Sequence, residues 1–262
     1  MNRFESGPSR NLFRLTRLLF RELVRDKIFW TLSMASILLV LASLILNEMV
    51  VGIAIKATRD LGLSVLNLFS LFILIFSGIS QVSKDLANKS LYFLFSKSVS
   101  RPQYLLASVL AITLTIASGI LVILTTIFLL SAIQHEMWLA GLLTAGALTL
   151  LEMLVLLVLA ILFALITSPQ LAMFLTLIMY VIGHTMEQAA QIVDKSNNLV
   201  LKYIIIAAHA LLPNLEFFNK KTEIIYRLPI PGSYFVHAAV YALSYATLIV
   251  LLSIWVFKNK EI

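Results

Sequence analysis

The chain has 262 residues, of which 60% are hydrophobic and only 13% charged. A soluble domain carries about a quarter charged residues, so this composition excludes a water-soluble globule and makes lipid the solvent for most of the chain. The net charge of +7 does not point to nucleic acid, because the basic residues sit at the ends of apolar runs, and the absence of cysteine excludes disulfides and thiolate metal sites.

Residues 1–27 read as a cytoplasmic tail followed by an elbow helix. Met1 to Arg10 is polar and contains Gly7 and Pro8. From there Arg10, Arg14, Arg17, Arg21 and Arg25 recur at steps of three and four, one stripe on a helix. Leu12, Leu15, Leu19 and Leu23 line the opposite side, with Phe13 and Phe20 at the flanks. That pattern predicts an interfacial amphipathic helix whose arginines meet the anionic cytoplasmic leaflet of the phospholipid bilayer. It serves either as an anchor alone or as an elbow that also touches a cytoplasmic partner.

Residues 28–257 read as one six-helix membrane domain, with about 20 apolar residues needed per span. The expected spans are Ile28–Ile53, Leu63–Ser80, Leu105–Ser131, Trp138–Ile166, Leu171–Ile192 and Tyr234–Phe257. Pro169 should open the fifth, where a missing N–H does no harm. The first apolar run starts too late and is too long for a cleavable signal peptide. Six spans put both termini on one side. Of the 20 Lys and Arg residues, 13 fall on that side and 7 on the other, so the termini, including 258–262, are expected in the cytoplasm. Trp30, Trp138 and Trp255 lie near span ends, where indole prefers to sit.

Two inserts break the pattern. Residues 81–104 form a polar stretch between spans two and three carrying Lys84, Asp85, Lys89, Lys97 and Arg101. Within it Leu91, Tyr92, Leu94 and Phe95 put apolar groups at helical spacing. Such a helix docks in a protein groove or lies on the leaflet, and the residues alone leave both open. Residues 193–233, between spans five and six, contain an apolar run too short to cross, then Pro213-Asn214, then Pro229, Pro231 and Gly232. This segment is expected to form an outer re-entrant hairpin, tolerable at membrane depth only against other protein.

The chemistry available is sparse. No phosphate-binding loop of the G-x-x-x-x-G-K-[ST] form and no H-E-x-x-H occurs, so no ATP hydrolysis, catalytic residue or metal site is expected from this chain. Glu152 falls halfway along the fourth span. It reads either as a pathway or proton-coupled group or as a hydrogen-bonded helix-packing residue. His184 and Glu187, with Gln188 and Gln191, share a face of the fifth span, either the polar mouth of a pathway or a solvated helix end. A stand-alone intramembrane enzyme or secondary transporter built on Glu152 or His184 is the competing functional class, although a secondary carrier would usually show more intramembrane charge and repeats.

The order of these pieces resembles the permease subunit of ABC-2 type ABC transporters over nearly the whole chain. Asp85 matches the acid after the second span, Ser90-Leu91-Tyr92-Phe93-Leu94-Phe95 the amphipathic run, and Val99-Ser100-Arg101 the turn that follows. Leu212-Pro213-Asn214-Leu215-Glu216-Phe217-Phe218-Asn219 and Ile230-Pro231 resemble the outer segment of the six-span branch. Lys89 stands where Gly is usual, and Ser98 where Pro is usual. The resemblance implies an exporter subunit of a bacterial cytoplasmic (inner) membrane. It implies pairing with a second copy or homologue, and work by two separate ABC ATPase subunits that bind ATP and Mg. No cofactor is implied on this chain, and no nucleic acid partner. The 81–104 stretch would be the coupling helix, with Leu91, Tyr92, Leu94 and Phe95 seated in the ATPase, Lys84, Lys89 and Arg101 at the rim, and Asp85 also part of the coupling set.

Overall fold

The arginine stripe and its opposing leucines do form a helix, α1 (Pro8–Arg25), and a chain bend of 59° at Asp26 leads into α2 (Lys27–Met49). Asp26 caps the new helix by accepting the Ile28 N–H at 2.9 Å. The structure is a computed structural model, and it describes residues 8–49, 54–87, 100–133, 139–194, 203 and 212–259. Among these every regular element is helical. A helical run follows as α3 (Ala54–Phe72), a π-helical stretch Ile73–Ile79 and α4 (Ser80–Ala87). Then come α5 (Arg101–Ile133), α6 (Leu139–Ile166), α7 (Pro169–Asp194), a 3₁₀ turn Glu216–Phe218, short α8 (Lys221–Ile225) and α9 (Gly232–Asn259).

Five helical stretches are long and apolar enough to cross a membrane: Thr58–Leu86, Arg101–Ile133, Leu139–Ile166, Pro169–Gln191 and Gly232–Asn259. The bent α1–α2 pair passes the same test as one broken unit. The protein is an all-α, multi-pass membrane protein. Its centre is α6, apolar all round and buried continuously from Val155 to Leu162, the pattern of a helix enclosed by others. It touches α3, α5, α7, α8 and α9 and the π stretch.

Three expectations at helix ends shift, the first being the second span, whose helix already starts at Ala54 rather than Leu63. The polar residues from Gln81 do not begin a loop. The helix runs on to Ala87, with Gln81, Val82 and Ser83 buried, because no Gly or Pro stops it there. On the far side α5 starts at Arg101 rather than Leu105. Ser100 caps it reciprocally with Gln103. The Ser100 N–H donates to Gln103 Oε1 at 2.9 Å, and the Gln103 N–H donates to Ser100 Oγ at 3.4 Å. Pro102 sits in the first turn, where it breaks no helix bond. Pro169 opens α7 as expected.

The leucine stripe of α1 is covered by protein. Leu15, Leu19 and Leu23 are buried and α1 lies along α5, while Phe13 and Leu18 are exposed. Arg14, Arg17, Arg21 and Arg25 all point outward. Arg10 lies in α1, its side chain outside the described residues.

Candidate functional site

Glu152 sits where the sequence puts it, in the middle of α6, and it is 2% exposed. A lone carboxylate there would be expensive in lipid. It is not alone: His184 of α7 brings Nε2 to 2.9 Å from Glu152 Oε1. The other ring nitrogen, Nδ1, lies 3.0 Å from Glu216 Oε2. One imidazole therefore bridges two carboxyl groups from two different segments. Asn67 of α3 hydrogen-bonds Glu152 through its side-chain amide. Asn219 donates from Nδ2 to Glu216 Oε1 at 2.9 Å. Tyr180, one turn before His184, meets the imidazole edge-on with centroids 4.6 Å apart.

Glu216 reaches this depth because its segment is docked on α7. The Leu215 N–H donates to the Gly183 carbonyl at 3.1 Å. Leu215 is fully buried against Gly183, where a Cβ would stand 2.5 Å from Leu215 Cγ. Only glycine admits that approach at position 183. The Asn214 N–H donates to the Tyr241 hydroxyl at 2.9 Å, and the Tyr234 hydroxyl donates to the Phe217 carbonyl, so α9 fixes the same segment from the other side.

Proton counting constrains the cluster. Each of the two imidazole–carboxyl contacts needs one proton. A neutral imidazole supplies only one N–H. The trio therefore holds either an imidazolium between two carboxylates or a neutral imidazole with one protonated carboxyl. Both arrangements carry a net charge of −1.

The cluster opens on a cavity of about 400 Å³ reached past Ser64, Asn67, Thr149 and Tyr180. Lys220 and Lys221 stand at its edge, and each already has a carboxylate. Lys220 Nζ donates to Glu223 Oε1 at 2.8 Å and lies 5.1 Å from the centroid of the Tyr234 ring. Lys221 pairs with Asp60 and also donates to Ser64 Oγ. The bond to Glu223 raises the Lys220 ammonium above its ordinary value. Partial burial, the largest single influence, would raise Glu223, but the hydrogen bond from Lys220, a backbone N–H and the Lys220 charge together hold the carboxyl below its usual range. Among the described residues no three His, Cys, Asp or Glu side chains converge as a metal site, since the two carboxyls oppose each other across the ring.

Of the residues singled out from the sequence, Glu152 and His184 are brought together, and Glu187 is exposed outside the cavity. Glu216 was legible only as part of a family-like stretch, not as a site residue. The residues assigned to coupling divide into two groups. Lys89, Leu91, Tyr92, Leu94 and Phe95 lie outside the described residues, as does most of the expected hairpin before Leu212. Asp85 accepts the Tyr104 hydroxyl at 2.7 Å across the base of the insert, with Gln81 Nε2 at 3.4 Å. Arg101 Nη1 donates to the carbonyls of Phe257 at 2.7 Å and Lys258 at 3.2 Å, and its guanidinium lies 5.6 Å from the Phe257 ring centroid. It thus caps the C-terminal end of α9. Lys84 is exposed and lines a groove with Arg14, Arg17, Arg21 and Arg25, along with Glu22 and Asp26.

No family model matches this sequence, and no curated protein matches it either.

Proposed function

We propose that this chain is the membrane-spanning permease subunit of an ABC-2 type exporter in a bacterial cytoplasmic membrane, with six spans and both termini in the cytoplasm. Force would come from separate ATPase subunits pressing on the 81–104 insert, and a second permease subunit would complete the pathway. The observation that supports this reading best is the bracing of the insert's two ends. Asp85 is tied to Tyr104 and Arg101 to the end of α9. A push on residues between them would reach α4, α5 and α9 together rather than bend one loop. Bistable packed elements are how such a local push becomes a global change.

The test is co-purification of the full chain with a soluble nucleotide-binding ATPase, followed by Leu94→Asp. The expected result is ATP hydrolysis that persists while transport is lost, with the protein still monodisperse. Intact assemblies without any nucleotide-binding partner would overturn the proposal.

A second reading, a carrier or intramembrane enzyme working alone, is favoured by one observation, the Glu152–His184–Glu216 cluster on a cavity. Substrate movement or turnover by the purified chain in vesicles without ATP, abolished by Glu152→Gln, would establish it in place of the first.

A further inference from the structure

The Glu152 cavity contains acceptors with nothing to accept. Asn67 Oδ1 is buried with no hydrogen-bond partner. Thr149, on the cavity wall one turn from Glu152, is 8% exposed, and its hydroxyl makes no hydrogen bond among the described residues. Helical threonines normally bond back to the preceding turn, as Thr144 does to the Ala140 carbonyl at 2.9 Å; Thr149 faces the cavity instead. Beside these two oxygens stands the Glu152 carboxyl, which meets the imidazole at Oε1 and the Asn67 amide and has acceptor capacity left for one more donor.

Charge agrees with the hydrogen-bond inventory. The lysines at the cavity edge are neutralised in pairs, Lys220 with Glu223 and Lys221 with Asp60. The Glu152–His184–Glu216 trio keeps one negative charge whichever way its two protons are placed. An uncompensated charge at this depth is costly in lipid. The cavity thus lacks one positive charge and several N–H donors.

We propose that this cavity is a binding site for a small primary ammonium group carried on an apolar body. An ammonium has three donors and no acceptor, which matches Asn67 Oδ1, Thr149 Oγ1 and the Glu152 carboxyl. The Tyr180 ring lines the same space and can add a cation–π contact. Apart from Ser64, Asn219 and the paired Lys220 and Lys221 at the edge, the wall is apolar, with Leu63, Leu66, Leu148 and Phe218, and that part suits a short hydrocarbon. About 400 Å³ falls in the range of small-molecule sites and far exceeds the roughly 30 Å³ share of one water. The proposal concerns the single chain and stands whether or not an ATPase drives it.

The experiment measures equilibrium binding of radiolabelled n-hexylamine at pH 7 to the full chain in phosphatidylcholine nanodiscs, with no ATPase present. Saturable binding at one site per chain is expected. Glu152→Gln should weaken it about 10- to 100-fold, the range for losing a hydrogen bond to a charged group. Thr149→Val, which keeps the shape, should weaken it about 3- to 10-fold. Glu187→Gln, on the exposed side of α7, should leave it unchanged. Three results overturn the proposal: wild-type binding by both Glu152→Gln and Thr149→Val, equal displacement by n-hexanol, or displacement by sodium but not choline at matched ionic strength. The last two would mark an apolar site and an alkali-ion site respectively. If Glu152→Gln does not fold, Thr149→Val together with the hexanol competition decides.

Discussion

Replacing His184 by leucine tests the central cluster most directly. The imidazole holds Glu152 at 2.9 Å and Glu216 at 3.0 Å. Glu216 keeps Asn219 as a donor, but Glu152, at 2% exposure, would keep only Asn67. Removing one partner of a buried ion pair costs about 3–5 kcal/mol. Membrane helices stay helical and find other partners when unfolded in detergent, which puts the expected loss near the lower bound, about 3 kcal/mol. At about 2–4 °C per kcal/mol for a chain of this size, His184→Leu should melt about 6–12 °C below wild type in thermal unfolding followed by size-exclusion fluorescence. The double variant Glu152→Leu/His184→Leu replaces both charges by apolar groups, a change that is often neutral. It should recover most of the loss and give a coupling energy of about 2 kcal/mol or more. A drop under about 2 °C in the single variant, or a double variant that falls by the sum of the singles, would show that the contact does not hold the two helices together.

Gly183→Ala would place a Cβ 2.5 Å from Leu215 Cγ and 3.1 Å from its Cβ. Overpacking of that kind costs about 1–3 kcal/mol, and adding Leu215→Ala should cost less than the sum of the two single variants. Tyr104→Phe removes a hydroxyl that is fully buried and bonded to Asp85. A loss of about 1.5–3 kcal/mol is expected, read as a melting shift. Arg101→Ala uncaps α9 and should raise amide hydrogen exchange in the Val256–Asn259 turn several-fold without moving exchange in α6. The Lys220–Glu223 pair predicts an acid-side effect. Glu223 has a folded value below its ordinary one, so its contribution is complete above about 4.5 and is lost as pH falls through the lower folded value. The pair is partly exposed, and its contribution is about 0.2–1 kcal/mol. Glu223→Gln should lower the melting temperature at pH 7 by that amount, and its difference from wild type should shrink as pH falls below about 4.5.

Composition and apolar run length were enough to place the long helices, because burial in lipid demands those runs whatever the tertiary structure. The ends were less legible for reasons that differ. The helix continues past Gln81 because burial against neighbours, not local polarity, decides where those side chains go. The start of α5 was written in the sequence as Ser100-Arg101-Pro102-Gln103, a capping box that the expected boundary at Leu105 passed over. Glu152 and His184 were each conspicuous as polar groups in apolar spans. Their contact was not, since it joins positions 32 apart on two helices and depends on how α6 and α7 pack. Glu216 was hidden further. It lies in a non-spanning segment, and only the close approach of Leu215 to Gly183 carries it to the same depth. Arg101 read as a surface charge because its carbonyl acceptors at the end of α9 are 156 and 157 residues away. The leucine face of α1 was visible as a stripe, but a stripe suits a lipid surface and a protein surface equally well, and α5 occupies it here.

The two polar systems, the braced insert and the cavity, share one helical run. Asn67 faces the cavity and Asp85 faces Tyr104 on α5. Between them the run advances about 27 Å at 1.5 Å per residue. In an unbroken α-helix, steps of about 100° bring positions 67 and 85 round to the same side. The π stretch Ile73–Ile79 lies between them, and an i→i+5 ring takes in one residue more than an i→i+4 ring. It sets the later face back by about one residue, roughly 100°. That offset lets one helix present Asn67 to α6 and α7 and Asp85 to α5. The wider turn has a visible cost: Ser77 Oγ is buried without a hydrogen-bond partner. It is also closely packed, since a Cβ on Gly78 would stand 2.9 Å from Ile112 Cγ2. A π turn inside a long helix persists only where its surroundings favour it. Here the favourable terms are the polar contacts at its two ends, so the register of this stretch and the integrity of both clusters depend on one another.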